Sequence, residues 1–184
     1  MSYRPITDVW ILARAKLKED KQYYGAYPGG FPERARALLG VTINDGVLHV
    51  CSGCVKYYPY RGAFGPNDRT MDLDPQLNPD LVHDAREPYP YIGWSAILMD
   101  PPYTEEDAEH YAPGKNAFPS PNLLLKNALC AVRPGGRVGM LHYILPSPPK
   151  EDVIGFETRF IAAIGVLVGF NNRIRIYSVF ERLI

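Results

Sequence analysis

The stretch "SAILMDPPY" (residues 95–103) predicts where a buried strand ends and which groups stand at its end. Its apolar run reaches Asp100 and is followed directly by two prolines and a tyrosine. Proline has no backbone N–H, so two in succession cannot continue a ladder of strand hydrogen bonds. The strand is therefore expected to stop at Asp100, with a carboxylate, a rigid turn and an aromatic ring at its end.

Three shorter apolar runs precede this stretch and predict three further strands: "VLHVC" (residues 47–51), "RTMDLD" (residues 69–74) and "DLVHDA" (residues 80–85). Small or acidic residues stand at or just after the end of each run: Ser52, Gly53, Asp72, Asp74, Asp84 and Ala85. The carboxyl ends of parallel strands meet at one edge of a sheet, and ligands bind there near the switch in strand order. We therefore expect these residues and Asp100 to open onto one rim.

The remaining segments complete an alternating α/β pattern. Helices are predicted at residues 32–41, 122–132 and 151–164, a fifth strand at residues 137–145, and a closing hairpin at residues 165–183 that turns at Asn171 and Asn172. Strands linked by such crossovers imply a mostly parallel sheet. We predict one α/β domain over residues 1–184. Residues 1–46 would form an N-terminal segment with a helix, and residues 47–184 a sheet core with an antiparallel C-terminal hairpin strand.

Composition limits the classes of function. The 184 residues carry no net charge, so a nucleic-acid partner would need a local basic patch or a second protein. The N-terminus lacks the apolar core of a signal peptide, and no apolar run reaches about 18 residues. Three cysteines do not make a disulfide framework, and "CSGC" (residues 51–54) lacks two further zinc ligands. We expect a cytoplasmic protein with no membrane segment and no metal site.

The order of these features resembles the class I S-adenosylmethionine-dependent methyltransferases. Within that group the chain is similar to the DNA amino-methyltransferases, which modify the exocyclic nitrogen of adenine or cytosine. Their hallmark is an Asp, Asn or Ser followed by Pro-Pro and an aromatic residue, matched here by Asp100, Pro101, Pro102 and Tyr103. The resemblance implies a Rossmann-like methyltransferase fold, S-adenosylmethionine as cofactor and a DNA or RNA substrate, with adenine favoured over cytosine.

The resemblance also implies a catalytic role for the tetrapeptide. The amino group of adenine or cytosine is a poor nucleophile because its lone pair is delocalised into the ring. Asp100 and the Pro101 carbonyl would accept the hydrogens of that amine, and the prolines would hold both acceptors in place. Tyr103 would stack on a base flipped out of its duplex. In the alternative interpretation the tetrapeptide is a structural turn, in which Asp100 caps and Tyr103 packs.

Seven residues are implied as cofactor ligands: Tyr24, Gly25, Ser52, Gly53, Asp72, Asp84 and Ala85. Tyr24 and Gly25 belong to "YYGAYPGGF" (residues 23–31), which would cover the methionine end of the cofactor or form an ordinary glycine-rich loop. Asp72 would bind the ribose hydroxyls through its two carboxylate oxygens. Asp74 is an alternative, because "DLD" leaves the strand register open.

Asp84 would take the adenine amino group of the cofactor, with the Ala85 backbone N–H nearby. The first cofactor motif departs from the family pattern, because His49 stands where an acid is expected and Val55 where a second glycine is expected. Glycine at that place lets the backbone approach a ligand closely, so Val55 is expected to narrow the site. The two prolines and two glycines of residues 56–69 also predict that no long helix follows this motif.

We expect no separate target-recognition domain, although DNA methyltransferases usually carry one. Recognition would then come from the loop after Tyr103, the N-terminal segment, a second subunit, a homodimer or a separate partner. Three alternatives to a DNA methyltransferase remain. The chain could be an RNA methyltransferase, a protein-glutamine methyltransferase or a non-catalytic methyltransferase-like subunit. Arg173 and Arg175 share one face of the last strand, which is typical of a solvated face and also compatible with a phosphate contact.

Overall fold

The computed structural model describes residues 3–14, 26–114, 118–169 and 173–184. These residues form one eight-stranded sheet in the order β1-β7-β8-β6-β5-β2-β3-β4. The strands are β1 (Ile6–Leu12), β2 (Val47–Val50), β3 (Arg69–Asp72), β4 (Leu81–Val82), β5 (Trp94–Met99), β6 (Val132–His142), β7 (Thr158–Val168) and β8 (Ile174–Arg182).

Helices cover both faces of this sheet. The described residues form α1 (Phe31–Leu39), α2 (Glu105–Tyr111), α3 (Pro121–Ala131) and α4 (Glu151–Ile154), with short 3-10 turns at Val55–Tyr57 and Pro75–Leu77. None of these described helices has the length and apolar character needed to cross a membrane.

Two hydrophobic clusters occupy opposite faces of the sheet. One packs apolar residues of α1, such as Phe31 and Leu39, against β1, β7 and β8. The other packs α3, including Leu124 and Leu129, against β5 and β6. All four residues of β2 are buried, as expected for a strand with apolar layers on both sides. The result is a three-layer α/β/α arrangement that holds the ends of the central strands in fixed positions.

The switch in strand order lies between β2 and β5. After β2 the chain builds outward through β3 and β4, whereas β5 pairs on the other side of β2 and leads to β6. Backbone bonds extend this register just past the strand ends, because Asp100 N donates to Val50 O at 3.3 Å and Ser52 N donates to Met71 O at 3.4 Å. Residues that follow these strands therefore converge on one edge of the sheet.

The predicted fold class is confirmed. β2 to β6 pair parallel with one another, and β1 pairs parallel with β7. β8 pairs antiparallel with both β6 and β7. The strands predicted at residues 47–51, 69–74 and 95–100 are present, and the one at residues 80–85 is reduced to β4. No long helix follows β2, as the prolines and glycines of residues 56–69 predicted. Asn171 and Asn172, the predicted turn, lie outside the described residues.

The helix predicted over residues 151–164 is wrong. α4 ends at Ile154 because Gly155 adopts a φ of 78°, a left-handed conformation that stops a helix. β7 follows, and its residues Ala162, Ile164 and Val166 alternate toward the buried face that faces α1. Small and β-branched residues fit a pleated surface as well as a helix, so the apolar spacing alone was ambiguous.

Three further features differ from the sequence predictions. The N-terminal segment contributes β1 as well as α1, because Trp10 and Leu12 bury one side of β1 beside β7. The predicted loop after Tyr103 contains α2, whose first turn is capped by the Thr104 hydroxyl. β6 begins at Val132, five residues before the strand predicted at residues 137–145, and its pairing with β5 shifts register between Trp94 and Ala96.

Candidate functional site

A cleft lies at the carboxyl ends of β2, β3, β4 and β5. The cleft contains about 850 Å³ of empty space, a volume that includes the part open to solvent. Seven of the predicted site residues line it: Ser52, Gly53, Asp72, Asp84, Ala85, Asp100 and Pro102. Pro101 is buried beside the cleft, and Tyr103 lies next to Asp100. Tyr24 and Gly25 lie outside the described residues.

The loop after β2 is held in contact with the end of β3. Cys51 and Gly53 have φ values of 53° and 50°, so the chain turns through two left-handed residues directly after the strand. This turn lets Gly53 N donate to Asp72 Oδ2 at 3.0 Å, while Asp74 N donates to Asp72 Oδ1 at 3.1 Å. Burial raises the pKa of Asp72, and these backbone donors oppose that increase.

Asp74, the alternative to Asp72, also lines the cleft. Its Oδ1 accepts from Gln76 N at 2.9 Å and so caps the short turn at Pro75–Leu77. The capping bond commits one oxygen of Asp74 to its own segment. Asp72 instead connects the end of β3 to the loop after β2, with both of its oxygens accepting backbone N–H groups.

Asp84 is held by Arg86 at the outer side of the cleft. Arg86 donates from Nη2 at 2.7 Å and from its backbone N at 2.9 Å, and this pairing lowers the pKa of Asp84. Asn127, a buried residue of α3, donates from Nδ2 to the Ala85 carbonyl at 3.1 Å and also contacts the two carbonyls that follow. The loop that carries Asp84 and Ala85 is therefore tied to the helix layer.

Asp100 lies at the cleft end of β5, between Tyr103 and the rest of the rim. The Tyr103 hydroxyl donates to Asp100 Oδ1. Burial raises the pKa of Asp100 to about 6, while the Tyr103 hydrogen bond and the positive charge of Arg175 act in the opposite direction. At neutral pH the carboxylate is therefore ionised, and it is easily protonated one unit below neutrality.

The Tyr103 ring packs inside an aromatic cluster. Its centroid lies 5.4 Å from that of His142 in an edge-to-face arrangement and 4.7 Å from that of Tyr143. The guanidinium carbon of Arg175 lies 5.4 Å from the centre of the same ring. The hydroxyl of Tyr103 thus contacts Asp100 and its ring packs on three side chains, while the stacking role of the ring stays a prediction.

The cleft is acidic and contains two buried hydroxyls. Its described lining includes four aspartates and His83, but no lysine or arginine. Ser52 and Tyr27 are 4% and 3% exposed, and neither hydroxyl has a hydrogen-bond partner among the described residues. A buried polar group without a partner costs stability, so two of them on one cleft indicate a place for a ligand. Tyr27 was not among the predicted site residues, although it follows Gly25 by two residues in the same glycine-rich stretch.

His49 and Val55, the departures from the family pattern, belong to the core. His49 is buried with Nε2 3.1 Å from Asp68 Oδ2, and Val55 packs in the hydrophobic cluster under α1. Neither residue is part of the cleft lining, so the expected narrowing by Val55 does not occur at the cleft wall. Within the described ranges, no group of three histidine, cysteine, aspartate or glutamate residues is placed to hold a metal ion.

No model of a known protein family matches the chain, and no curated protein matches it in sequence. Solved structures do match its fold. TrmN from Thermus thermophilus superposes with a TM-score of 0.59 at 18% identity, over 87% of this chain and 50% of TrmN. The chain has a Rossmann-like methyltransferase fold.

A second match with this fold is the N-methyltransferase NodS from Bradyrhizobium japonicum, with a TM-score of 0.51 at 11% identity. That match covers 83% of this chain and 96% of NodS. By contrast, the chain spans half the length of TrmN. At 18% and 11% sequence identity the similarity shows the fold alone and does not show the activity.

Proposed function

We propose that the chain is an S-adenosylmethionine-dependent methyltransferase that acts on the exocyclic amino group of a DNA base, with adenine as the first substrate to test. The observation that carries the proposal is the position of Asp100. This carboxylate stands at the switch point of the sheet, on the same cleft as the strand-end residues Ser52, Gly53, Asp72 and Asp84. The methyltransferase fold of the chain supports the same assignment.

The residues of the cleft fit the proposed cofactor. The cleft opens at the strand ends, and the buried Ser52 and Tyr27 hydroxyls offer polar groups that have no partner among the described residues. Asp72 would hold the ribose hydroxyls, and Asp84 with the Ala85 backbone N–H would hold the adenine ring. When bound, S-adenosylmethionine supplies an electrophilic methyl group. The acidic lining favours a ligand that carries positive charge.

On the acceptor side, the chain would raise the electron density of the incoming amine. Ionised Asp100 would accept one amine hydrogen, and the Pro101 carbonyl would accept the other. Both acceptors are fixed before the substrate arrives, because the Tyr103 hydroxyl holds Asp100 and the prolines restrict the backbone. The hydrogen-bonded amine can then attack without delocalising its lone pair into the ring.

Two measurements test this function. Calorimetric titration with S-adenosylmethionine should give one saturable site, and transfer of labelled methyl groups should be observed with DNA that contains unmodified adenine. Binding without transfer to DNA, ribosomal RNA or protein would support a non-catalytic subunit instead. Absence of binding at millimolar ligand would refute the methyltransferase assignment.

A second candidate substrate is favoured by the charge of α2. This helix follows Tyr103 directly and exposes Glu105, Glu106 and Glu109, while Ala108 and Tyr111 face the cleft. Carboxylates beside the acceptor repel a phosphodiester backbone. A conjugated amide, such as a protein glutamine, presents the same planar amino group without that charge. Parallel transfer assays on DNA, RNA and protein separate these substrates.

Replacement of Asp72 should weaken cofactor binding. Asp72→Ala removes the carboxylate that would bind the ribose hydroxyls, and hydrogen bonds to a charged group contribute about 1.5–3 kcal/mol. We therefore expect the Kd for S-adenosylmethionine to rise by about 10- to 100-fold in calorimetric titration. Asp74→Ala is the matched control, with an expected change below about threefold. Equal effects at both positions would refute the assignment of the ribose to Asp72.

The pH dependence of methyl transfer should follow Asp100. Only the ionised carboxylate accepts both the Tyr103 hydroxyl and an amine hydrogen, and its pKa is about 6. Protonation increases as the pH falls, so kcat should be constant above pH 7 and fall about tenfold per unit well below pH 6. A pH profile of kcat at saturating cofactor checks this. A profile that stays flat to pH 5 would contradict the role of an ionised Asp100.

A further inference from the structure

Arg175 lies next to the candidate acceptor although it belongs to none of the strands that carry the predicted site residues. It lies on β8, the antiparallel strand, which pairs with β6 and β7. The sequence pattern was typical of a solvated arginine. Instead Arg175 is partly buried, and its guanidinium packs over the Tyr103 ring at 5.4 Å.

The contacts form a short chain from β8 to the acceptor. Arg175 packs on the Tyr103 ring and hydrogen-bonds the Tyr143 side chain, and the Tyr103 hydroxyl donates to Asp100 Oδ1. His142, the last residue of β6, and Tyr143, which follows it, pack against the same ring. The ring is therefore packed on several sides, and one of these contacts is the guanidinium of Arg175.

We infer that Arg175 is a positioning residue for Asp100, which it acts on through Tyr103. Its guanidinium keeps the Tyr103 ring in the orientation that donates to Asp100, and its positive charge favours the ionised form of that carboxylate. This role rests on the proposed function, in which ionised Asp100 accepts the amine hydrogens. It adds a residue from outside the strand-end motif to the acceptor site.

Several other groups face Asp100 and bear on its charge. Tyr103 follows it in the chain, Cys51 approaches from the end of β2, and Tyr27 approaches from the segment before α1. Burial keeps the pKa of Cys51 and Tyr27 well above the ordinary value, so both are neutral near pH 6. His142 is also favoured in its neutral form, because burial lowers its pKa. Arg175 is thus the group among these that brings positive charge to Asp100.

The test measures the titration of Asp100 directly in the free protein. Carbon-13 NMR of aspartate carboxyl groups gives the titration curve, and comparison with Asp100→Asn assigns the signal. We expect a midpoint near pH 6 for the native chain, as burial implies. Arg175→Met and Arg175→Gln should raise the midpoint by about half a pH unit or more, because the positive charge of Arg175 favours the ionised carboxylate. Arg175→Lys should restore most of the difference.

Arg159→Met is the matched control. Arg159 also lies over a tyrosine ring, at 5.2 Å from the centre of Tyr3, but near the start of β7, where it pairs with Glu181 and not with Arg175. The Arg159→Met variant should keep the titration midpoint of Asp100 within about 0.2 pH units of the native value. An unchanged midpoint in a folded Arg175→Met or Arg175→Gln variant would overturn the proposal. Unfolding of both variants would overturn it as well, because the role of Arg175 would then be structural only.

A double-mutant cycle of Tyr103 and Arg175 tests whether Arg175 acts on Asp100 through Tyr103. Tyr103→Phe removes the hydroxyl, so adding Arg175→Met to it should raise the midpoint less than Arg175→Met does in the native chain. Fully additive shifts would overturn the connection. These titrations need no cofactor. Failure to bind S-adenosylmethionine would therefore refute the proposed function without altering the NMR result, and the two failures can be told apart.

Discussion

Replacement of Asp100 by alanine is expected to lower kcat for methyl transfer by about 10³-fold, because loss of one preorganised polar group at the reacting centre costs about that much. The Kd for S-adenosylmethionine should change by less than about threefold, since Asp72 and Asp84 remain in place. The ionised carboxylate of Asp100 is partly desolvated, so its removal should not lower thermal stability at pH 7. Transfer assays, calorimetry and thermal melts measure the three quantities.

Asp100→Asn is the informative companion to this variant. Asparagine keeps one carbonyl acceptor and lacks a titratable group. It should therefore retain more activity than Asp100→Ala, and its kcat should lose the decrease below pH 6 that the native chain is expected to show. Full activity of Asp100→Ala would contradict the acceptor role. If kcat of Asp100→Asn still decreased below pH 6 as in the native chain, the decrease would be due to another titrating group.

Replacement of Asp68 by alanine is expected to lower the free energy of unfolding by about 3–5 kcal/mol, the usual cost of breaking a buried ion pair by removing one partner. Asp68 pairs with Arg36 of α1 and with His49 of β2, and all three side chains are almost fully buried. Asp68 also accepts from Val47 N at 3.0 Å and from Gly65 N at 2.7 Å. The variant would bury an arginine without its carboxylate and leave two backbone donors unsatisfied.

Denaturant unfolding measures this loss, which corresponds to a decrease in Tm of about 10 °C for a chain of this size. Asp45→Ala is the matched control. Asp45 also accepts from a backbone N–H and a hydroxyl, both of Thr42, but it is exposed, so a much smaller decrease is expected. A similar small decrease for Asp68→Ala would show that the buried cluster does not hold α1 and β2 together.

Much of the candidate site could be predicted because its residues follow apolar strands directly. Asp72 and Asp100 stand at the ends of β3 and β5, and parallel topology alone brings such positions to one rim. Arg175 and Tyr27 could not be predicted in this way. Their contacts with the rim depend on how distant strands and loops pack, and local spacing carries no signal for that. Tyr103 shows the same limit, because its ring orientation is set by Tyr143 and Arg175.

Strands that are buried on both faces of the sheet could be predicted from the sequence, whereas strands that are exposed on one face gave an ambiguous signal or none. β2 and β5 are mostly apolar and were predicted with nearly correct bounds. β1 was missed because five of its seven residues are exposed, so the strand carries little hydrophobic signal. β7 was predicted in part as a helix because its apolar residues also fit helical spacing, and only pairing with β1 and β8 decides between the two.

The central claim is that the cleft beside Asp100 binds S-adenosylmethionine. Its most direct test is a crystal structure of the chain with S-adenosylhomocysteine. The account predicts the ribose at Asp72, the adenine ring beside Asp84 and Ala85, and the sulfur atom toward Asp100. A ligand bound elsewhere, or a cleft that stays empty at saturating concentration, would contradict it.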